Sequence, residues 1–214
     1  MPTVTKLLPQ KRNPDRRSVY LDGDFAFGVN LNVVAAFRLR EGQQLTAEQV
    51  DAILRGEVRQ ECFDHGLRLL ARRLHSRAEL RRKLGRREYG DPVIDPVLDD
   101  LARLGYLDDE RFAAAMAQSL RQHRRVGARR AVVELVRAGV PVDLAQRAAA
   151  DAYATSDPVA EAKRLVAKQA ARLRALDPQV ARRRLAGLLQ RRGYDLDTVR
   201  AVADAVLGRG GDDE

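Results

Sequence analysis

The spacing of apolar positions changes along this chain. Near the N-terminus, residues 18–29 (SVYLDGDFAFGV) place short β-prone runs on either side of Asp22-Gly23. That pair favours the positive φ angles of tight hairpin turns, so the stretch predicts a β-hairpin. Its register is open. A two-residue turn sets Tyr20 opposite Phe25, whereas a three-residue loop sets Leu21 opposite Phe25 and gathers Val19, Leu21, Phe25, Phe27 and Val29 on one face. Val4–Leu8 is a candidate third strand, because an isolated hairpin is marginal in water. Residues 1–16 otherwise read as a basic, Pro-containing lead-in.

After a break at Gly42 the spacing becomes helical and remains so. Thr46 and Gln49 form a capping-box pair for a helix beginning near Ala47, with Val50, Ile53 and Leu54 at helical spacing. A further helix is expected through Phe63, Leu67, Leu70 and Leu74. Ser76 and Glu79 open the next, which carries Leu80 and Leu84. Asp95-Pro96 begins or interrupts another, with Val97, Leu98 and Leu101 inward. Asp108 is the N-cap expected for a helix with Phe112, Ala113, Met116 and Leu120. Gly127 precedes a helix with Val132 and Leu135 that Gly139 stops. Asp157-Pro158 and Asp177-Pro178 each pair a capping carboxylate with proline at the first helical position. The punctuation predicts about nine short helices after the N-terminal module.

Within this run a pattern recurs. Leu84, Leu135 and Leu189 align, with Leu80, Ala131 and Leu185 four residues earlier and Tyr89, Val140 and Tyr194 five residues later. Gly139 and Gly193 stand just before the last two, as helix C-caps. Each unit reads as three helices. The expected architecture is mostly α: tandem three-helix repeats stacked into an elongated, curved array, with a small N-terminal β-hairpin module. The expected boundaries are a hairpin-plus-helix module over 1–60, repeats over 61–107, 108–155 and 156–208, and an acidic tail over 209–214.

Composition narrows the class. The chain has 214 residues and no Trp, and only 5% are aromatic, so its core is aliphatic. No apolar run approaches a membrane span or a signal-peptide core. The single cysteine, Cys62, forbids an intrachain disulfide and fits a reducing, cytoplasmic setting. The formal charge is +9, with 34 arginines against five lysines. GC-rich coding is a sufficient reason for Arg over Lys, but it explains neither the sign nor the clustering. Between His65 and Arg87 nine basic residues face one acid, Glu79; between Asp91 and Glu110 seven acids face Arg103 alone. The second and third units repeat a basic middle helix. Such residues either pair with neighbouring acids as solvated surface or form a stripe for a polyanionic partner. About six phosphate contacts would give a log-affinity slope near −5 against log salt.

No catalytic constellation emerges. Cys62 and His65 lack a second ligand pair for zinc, and Gly208-Arg209-Gly210-Gly211 is no phosphate loop. Asp99-Asp100 and Asp108-Asp109 are adjacent pairs whose side chains diverge by about 100° on a helix, which argues against a two-metal nuclease. Capping and first-turn dipole stabilisation account for Asp108, Asp109 and Glu110. Residues 129–149 have the outline of a helix-turn-helix with its turn at Ala138–Val140, so a DNA-binding transcription regulator is the competing class.

LLARRLHSRAELRRKL (69–84) and LARLGYLDDERFA (101–113) resemble the RecX family of bacterial regulatory proteins. The second run is the sharper signal, with Leu104, Gly105, Tyr106, Leu107, Asp108, Asp109, Phe112 and Ala113 as the signature. Leu104, Leu107 and Phe112 are expected in the core, Tyr106 at the joint between the first and second repeats, and Asp108 as a cap. The resemblance implies a modulator of the RecA recombinase that lies in the groove of the RecA–DNA filament and limits its extension, ATP hydrolysis and strand exchange. It implies no enzymatic activity, no cofactor and no metal. The implied partners are the RecA filament and single- and double-stranded DNA, with neither a membrane nor a small-molecule substrate, for a chain expected to be monomeric. The candidate contacts are Arg77, Arg81, Arg82, Arg86 and Arg87 in the first repeat; Arg124, Arg125, Arg129 and Arg130 in the second; and Arg182, Arg183, Arg191 and Arg192 in the third.

Overall fold

The computed structural model describes residues 1–208, which form two compact units: 1–74 with 80–107, and 75–79 with 108–208. The expected acidic tail at 209–214 lies outside the described residues. The chain is mostly helical, with a three-stranded antiparallel sheet at its N-terminus.

In the first unit, β1 (Val4–Gln10), β2 (Asn13–Leu21) and β3 (Asp24–Asn30) pair in that order. The third strand is therefore real, and the lead-in expected over 1–16 is largely strand. Asp22 and Gly23 have φ of 50° and 99° and make the two-residue turn, so Leu21 faces Asp24 and Tyr20 faces Phe25. A bulge then restores Val19 opposite Phe27. It keeps Val19 and Val29 fully buried while leaving Phe25 59% exposed, so the single apolar face of the three-residue alternative does not form.

A short helix that the pattern did not announce, α1 (Leu31–Ala36), follows, capped by Asn30. Next, α2 (Ala47–Leu70) is one helix where two were expected, and Leu74 lies beyond its end. Its two halves bury different faces: Ile53 joins Val4, Val19, Val29, Val33, Leu39 and Leu45 beneath the sheet, and Cys62 joins Leu80, Leu84, Ile94, Val97, Leu98 and Leu101. This change of face breaks the periodicity without breaking the backbone. Thr46 and Gln49 make the reciprocal capping box. α3 (Arg77–Gly85) is followed by α4 (Asp91–Arg103), which starts at Asp91 and not at Asp95. Pro96 sits inside it, exposed, so the carbonyl that loses its helical donor faces water.

The second unit holds α5 (Asp109–Gln122), α6 (Ala128–Arg137), α7 (Val142–Tyr153), α8 (Pro158–Val166), a 3-10 turn (Ala167–Gln169), α9 (Ala170–Arg174), α10 (Pro178–Arg191) and α11 (Leu196–Leu207). Asp108, Asp157 and Asp177 cap as the sequence predicts. The repeat alignment is visible in burial: Leu80, Leu84, Ala131, Leu135, Leu185 and Leu189 are all fully buried. Gly139 and Gly193 take φ of 91° and 86°, and the following N–H groups of Val140 and Tyr194 return to the carbonyls of Leu135 and Leu189, each at 3.1 Å. The first repeat places Glu88, with φ 63°, at the matching position.

Candidate polyanion-binding cleft

Two glycines build the site. Gly127 precedes α6 and Gly193 follows α10, and their backbones nearly touch. A Cβ on Gly127 would lie 2.3 Å from the Gly193 carbonyl oxygen, and one on Gly193 would lie 2.4 Å from Cβ of Arg130. Only hydrogen at both positions permits this approach. The Gly127 N–H donates to the Arg192 carbonyl at 2.8 Å. The turn from α5 to α6 is held by side chains at three successive carbonyls. Arg192 Nη1 donates to that of Arg124 (2.8 Å), Tyr194 Oη to that of Arg125 (3.2 Å) and Tyr153 Oη to that of Val126 (2.6 Å). Burial, with Glu161 nearby, pushes the Tyr194 phenol up to about 12. It pushes the Tyr153 phenol up as well, so both remain neutral donors.

The result is a cleft of about 1040 Å³ lined by Arg124, Arg129, Arg130, Arg191 and Arg192, with His123, Gln190, Val133, Tyr194 and Leu196 among its other walls. Five of the arginines expected to make contact thus meet in one place. One carboxylate lines the cleft, that of Glu134, 2.5 Å from Arg130 and 3.5 Å from Arg137. Arg124, Arg129 and Arg191 are exposed and in no ion pair among the described residues. Guanidinium charges that converge in this way repel one another until an anion enters. Arg191 also lines an adjoining cleft of about 900 Å³ with Arg172, Arg183 and Arg184. Of these, Arg172 and Arg184 are not among the arginines singled out from the sequence; the RRR run at 182–184 is the available signal for Arg184, but it does not say which of the three faces outward.

The remaining candidates lie elsewhere. Arg125 has φ of 51°, and this left-handed residue sends its side chain to a separate hollow with Arg121, Arg164 and Glu161. Arg182 bonds Asp204 at 3.0 Å and the Gly208 carbonyl. In the first unit Arg81 is 3.0 Å from Asp91 and hydrogen-bonded to Asp95. Arg82, Arg86 and Arg87 are exposed on or just beyond α3. Burial, reinforced by the charges of Arg87 and Arg68, holds the His65 imidazole below its ordinary value. Arg77, in the second unit, gives its backbone N–H to Asp109 at 2.7 Å.

Within the signature, Leu107 and Phe112 are buried at 5% and 7% exposure, and Ala113 is fully buried. Asp108 caps α5 by accepting from Arg111 N–H at 2.9 Å. Two expectations need correction. Leu104 is 50% exposed and not core, and Tyr106, expected to be packed, is 54% exposed. The reason is Gly105: its φ of 75° ends α4 and leaves both neighbours on the outer side of the turn. Asp109, read only as a first-turn acid, caps α3. Beside it Ser76 Oγ accepts from Glu79 N–H at 3.0 Å and donates to the Ala138 carbonyl at 2.5 Å. As for a helix-turn-helix, α7 carries Arg147 against Asp143 and Asp151, and so lacks the positive charge of a groove-reading helix.

Three-helix repeats, with arginines gathered around a cleft in the second unit, define a helical-repeat protein. The comparisons with known proteins are specific. Residues 2–46 match the regulatory protein RecX N-terminal domain, 62–101 the RecX first three-helix domain and 156–203 the RecX third three-helix domain. Regulatory protein RecX of Trichlorobacter lovleyi is 36% identical over 66% of this chain and 93% of its own length. That of Thermobifida fusca is 41% identical over 60% and 69%, and that of Bacillus subtilis is 29% identical over 96% and 78%. A crystal structure of regulatory protein RecX shares the fold with a TM-score of 0.81 at 22% identity, covering 95% of this chain and all of that one. The chain belongs to the RecX family. No helix among the described residues is long and apolar enough to cross a membrane.

Proposed function

We infer that this chain is a non-enzymatic, cytoplasmic regulator of the RecA recombinase. As a monomer, it occupies the groove of the RecA–DNA filament and damps ATP hydrolysis, filament extension and strand exchange. It needs no cofactor. Its three repeats, over 61–107, 108–155 and 156–208, supply the contact surface, and the arginines of their middle helices meet filament carboxylates or DNA phosphates. The observation that carries this reading is the convergence of Arg124, Arg129, Arg130, Arg191 and Arg192 on one cleft in a chain of the RecX family. Charge so placed is suited to a regular anionic polymer, and it raises both the encounter rate and the salt dependence of binding.

The test is RecA ATPase on single-stranded DNA with this protein added below stoichiometry. Hydrolysis is expected to fall, and strand exchange with it. Unchanged hydrolysis and unchanged exchange across the titration would overturn the reading.

A further inference from the structure

The outer face of the N-terminal sheet has no role in the reading above. Cross-strand partners share a face, and Lys6 pairs with Tyr20, which pairs with Phe25, so a cation and two aromatic rings form one row across all three strands. The rings meet edge to face, with centroids 5.9 Å apart. The next row is Leu8, Ser18 and Gly28, and its small central and final members leave the surface beside the rings low. Gln10 lies over Gly28, where a Cβ would come within 2.5 Å of its amide nitrogen. The opposite face holds Val4, Val19 and Val29 in the core and explains why the sheet folds, but not why Phe25 is 59% exposed and Leu8 44% exposed.

Charge distinguishes the possible occupants. The two rows contain Lys6 and no carboxylate. Lys11 and Arg12, exposed at the turn between β1 and β2, are in no ion pair among the described residues. Arg16 is already engaged, with Nη1 2.7 Å from Glu57 and 3.1 Å from Glu61. An apolar protein helix would leave Lys6 uncompensated. An unpaired base has a face to lay on a ring and a phosphate to set beside a lysine. Phe25 is exposed and Tyr20 half-buried beside it, and a sheet face bearing accessible aromatics among cations is a sequence-tolerant platform for such bases.

We propose that this face is a binding site for single-stranded nucleic acid, with Phe25 and Tyr20 stacking bases and Lys6, Lys11 and Arg12 meeting the backbone. The site is separate from the arginine cleft and does not depend on the RecA reading. It recognises bases by their faces, so it favours a strand with bases over a bare phosphate backbone.

The experiment uses the full chain and measures the affinity of a labelled oligothymidylate and of an abasic strand of equal length. Wild type is expected to prefer the thymidylate, and Phe25→Ala to bind it on the order of tenfold more weakly while binding the abasic strand unchanged. Phe25→Trp is expected to restore the preference. Photocrosslinks from bromodeoxyuridine are expected at Phe25 or Tyr20. Equal affinity of wild type for the two strands would overturn the proposal. So would an unchanged Phe25→Ala variant, or crosslinks confined to the arginine cleft. RecA ATPase inhibition by Phe25→Ala, measured alongside, separates failure here from failure of the regulatory reading.

Discussion

In α3 the guanidinium of Arg81 lies between two carboxylates of α4, Asp91 and Asp95. On α6 and α10, the matching helices of the later repeats, Arg129 and Arg191 line an open cleft and make no ion pair among the described residues, although the Arg129 charge reaches the Asp195 carboxylate. The sequence marks all three helices alike, as basic middle helices. What differs is the helix that follows. α4 carries acids one turn apart on the side of α3. α7 carries Asp143 and Asp151, neither ion-paired to α6, and on α11 Asp204 takes up Arg182 alone. A run of arginine is therefore a supply of charge, and the next helix sets how much of it is left for a partner. An exposed ion pair adds little to stability, yet it blunts the field a partner meets.

The largest test reverses charge on each side of that contrast. Arg124, Arg129 and Arg191 changed together to Glu are expected to raise the concentration needed to inhibit RecA on the order of a hundredfold, with helicity by circular dichroism intact. Arg81 changed to Glu is expected to raise it by less than about threefold, because Arg81 is already compensated. Equal losses would erase the distinction.

The second test asks what holds the cleft together. Gly193→Ala forces a Cβ into Arg130 and a side chain onto a left-handed residue, for an expected loss of about 2–3 kcal/mol in urea unfolding. Gly105→Ala, in the first unit, meets nothing within 4 Å and pays only the backbone term, about 1–2 kcal/mol.

A third uses pH. Burial raises the folded-state Tyr194 phenol from 10.0 to about 12, so its contribution to stability is complete below pH 10 and is lost as pH rises from 10 towards 12. Tyr194→Phe is expected to flatten that part of the pH–stability curve and to cost about 1 kcal/mol at neutral pH, through the lost bond to the Arg125 carbonyl. Thermal melts across this range measure both. The smallest effect belongs to Arg81→Ala, expected below about 1 kcal/mol and shrinking as salt is added.

Local chemistry made much of the fold legible. Thr46, Ser76, Asp108, Asp157 and Asp177 announce their helices because a side-chain oxygen two or three residues from an orphan N–H needs no tertiary partner. Gly139 and Gly193 announce their turns for a similarly local reason. Legibility failed where a neighbour decided. The pattern in α2 looked like two helices because two cores take different faces of one. Leu104 and Tyr106 looked internal because an apolar residue in a signature does not say which way a left-handed glycine will turn it.

The sequence alone determined the succession of caps and turns, the repeat, the family and the excess of arginine, since each is written within a span of a few residues or in the composition. Tertiary structure alone decided which arginines stand together. Helical period fixes the direction of a side chain about its own axis, but the distance between Arg129 and Arg191 depends on how closely two backbones approach. That approach is set by Gly127 against Gly193, 66 positions apart in the chain and brought together only once folded, with the Gly127 N–H donating to the Arg192 carbonyl.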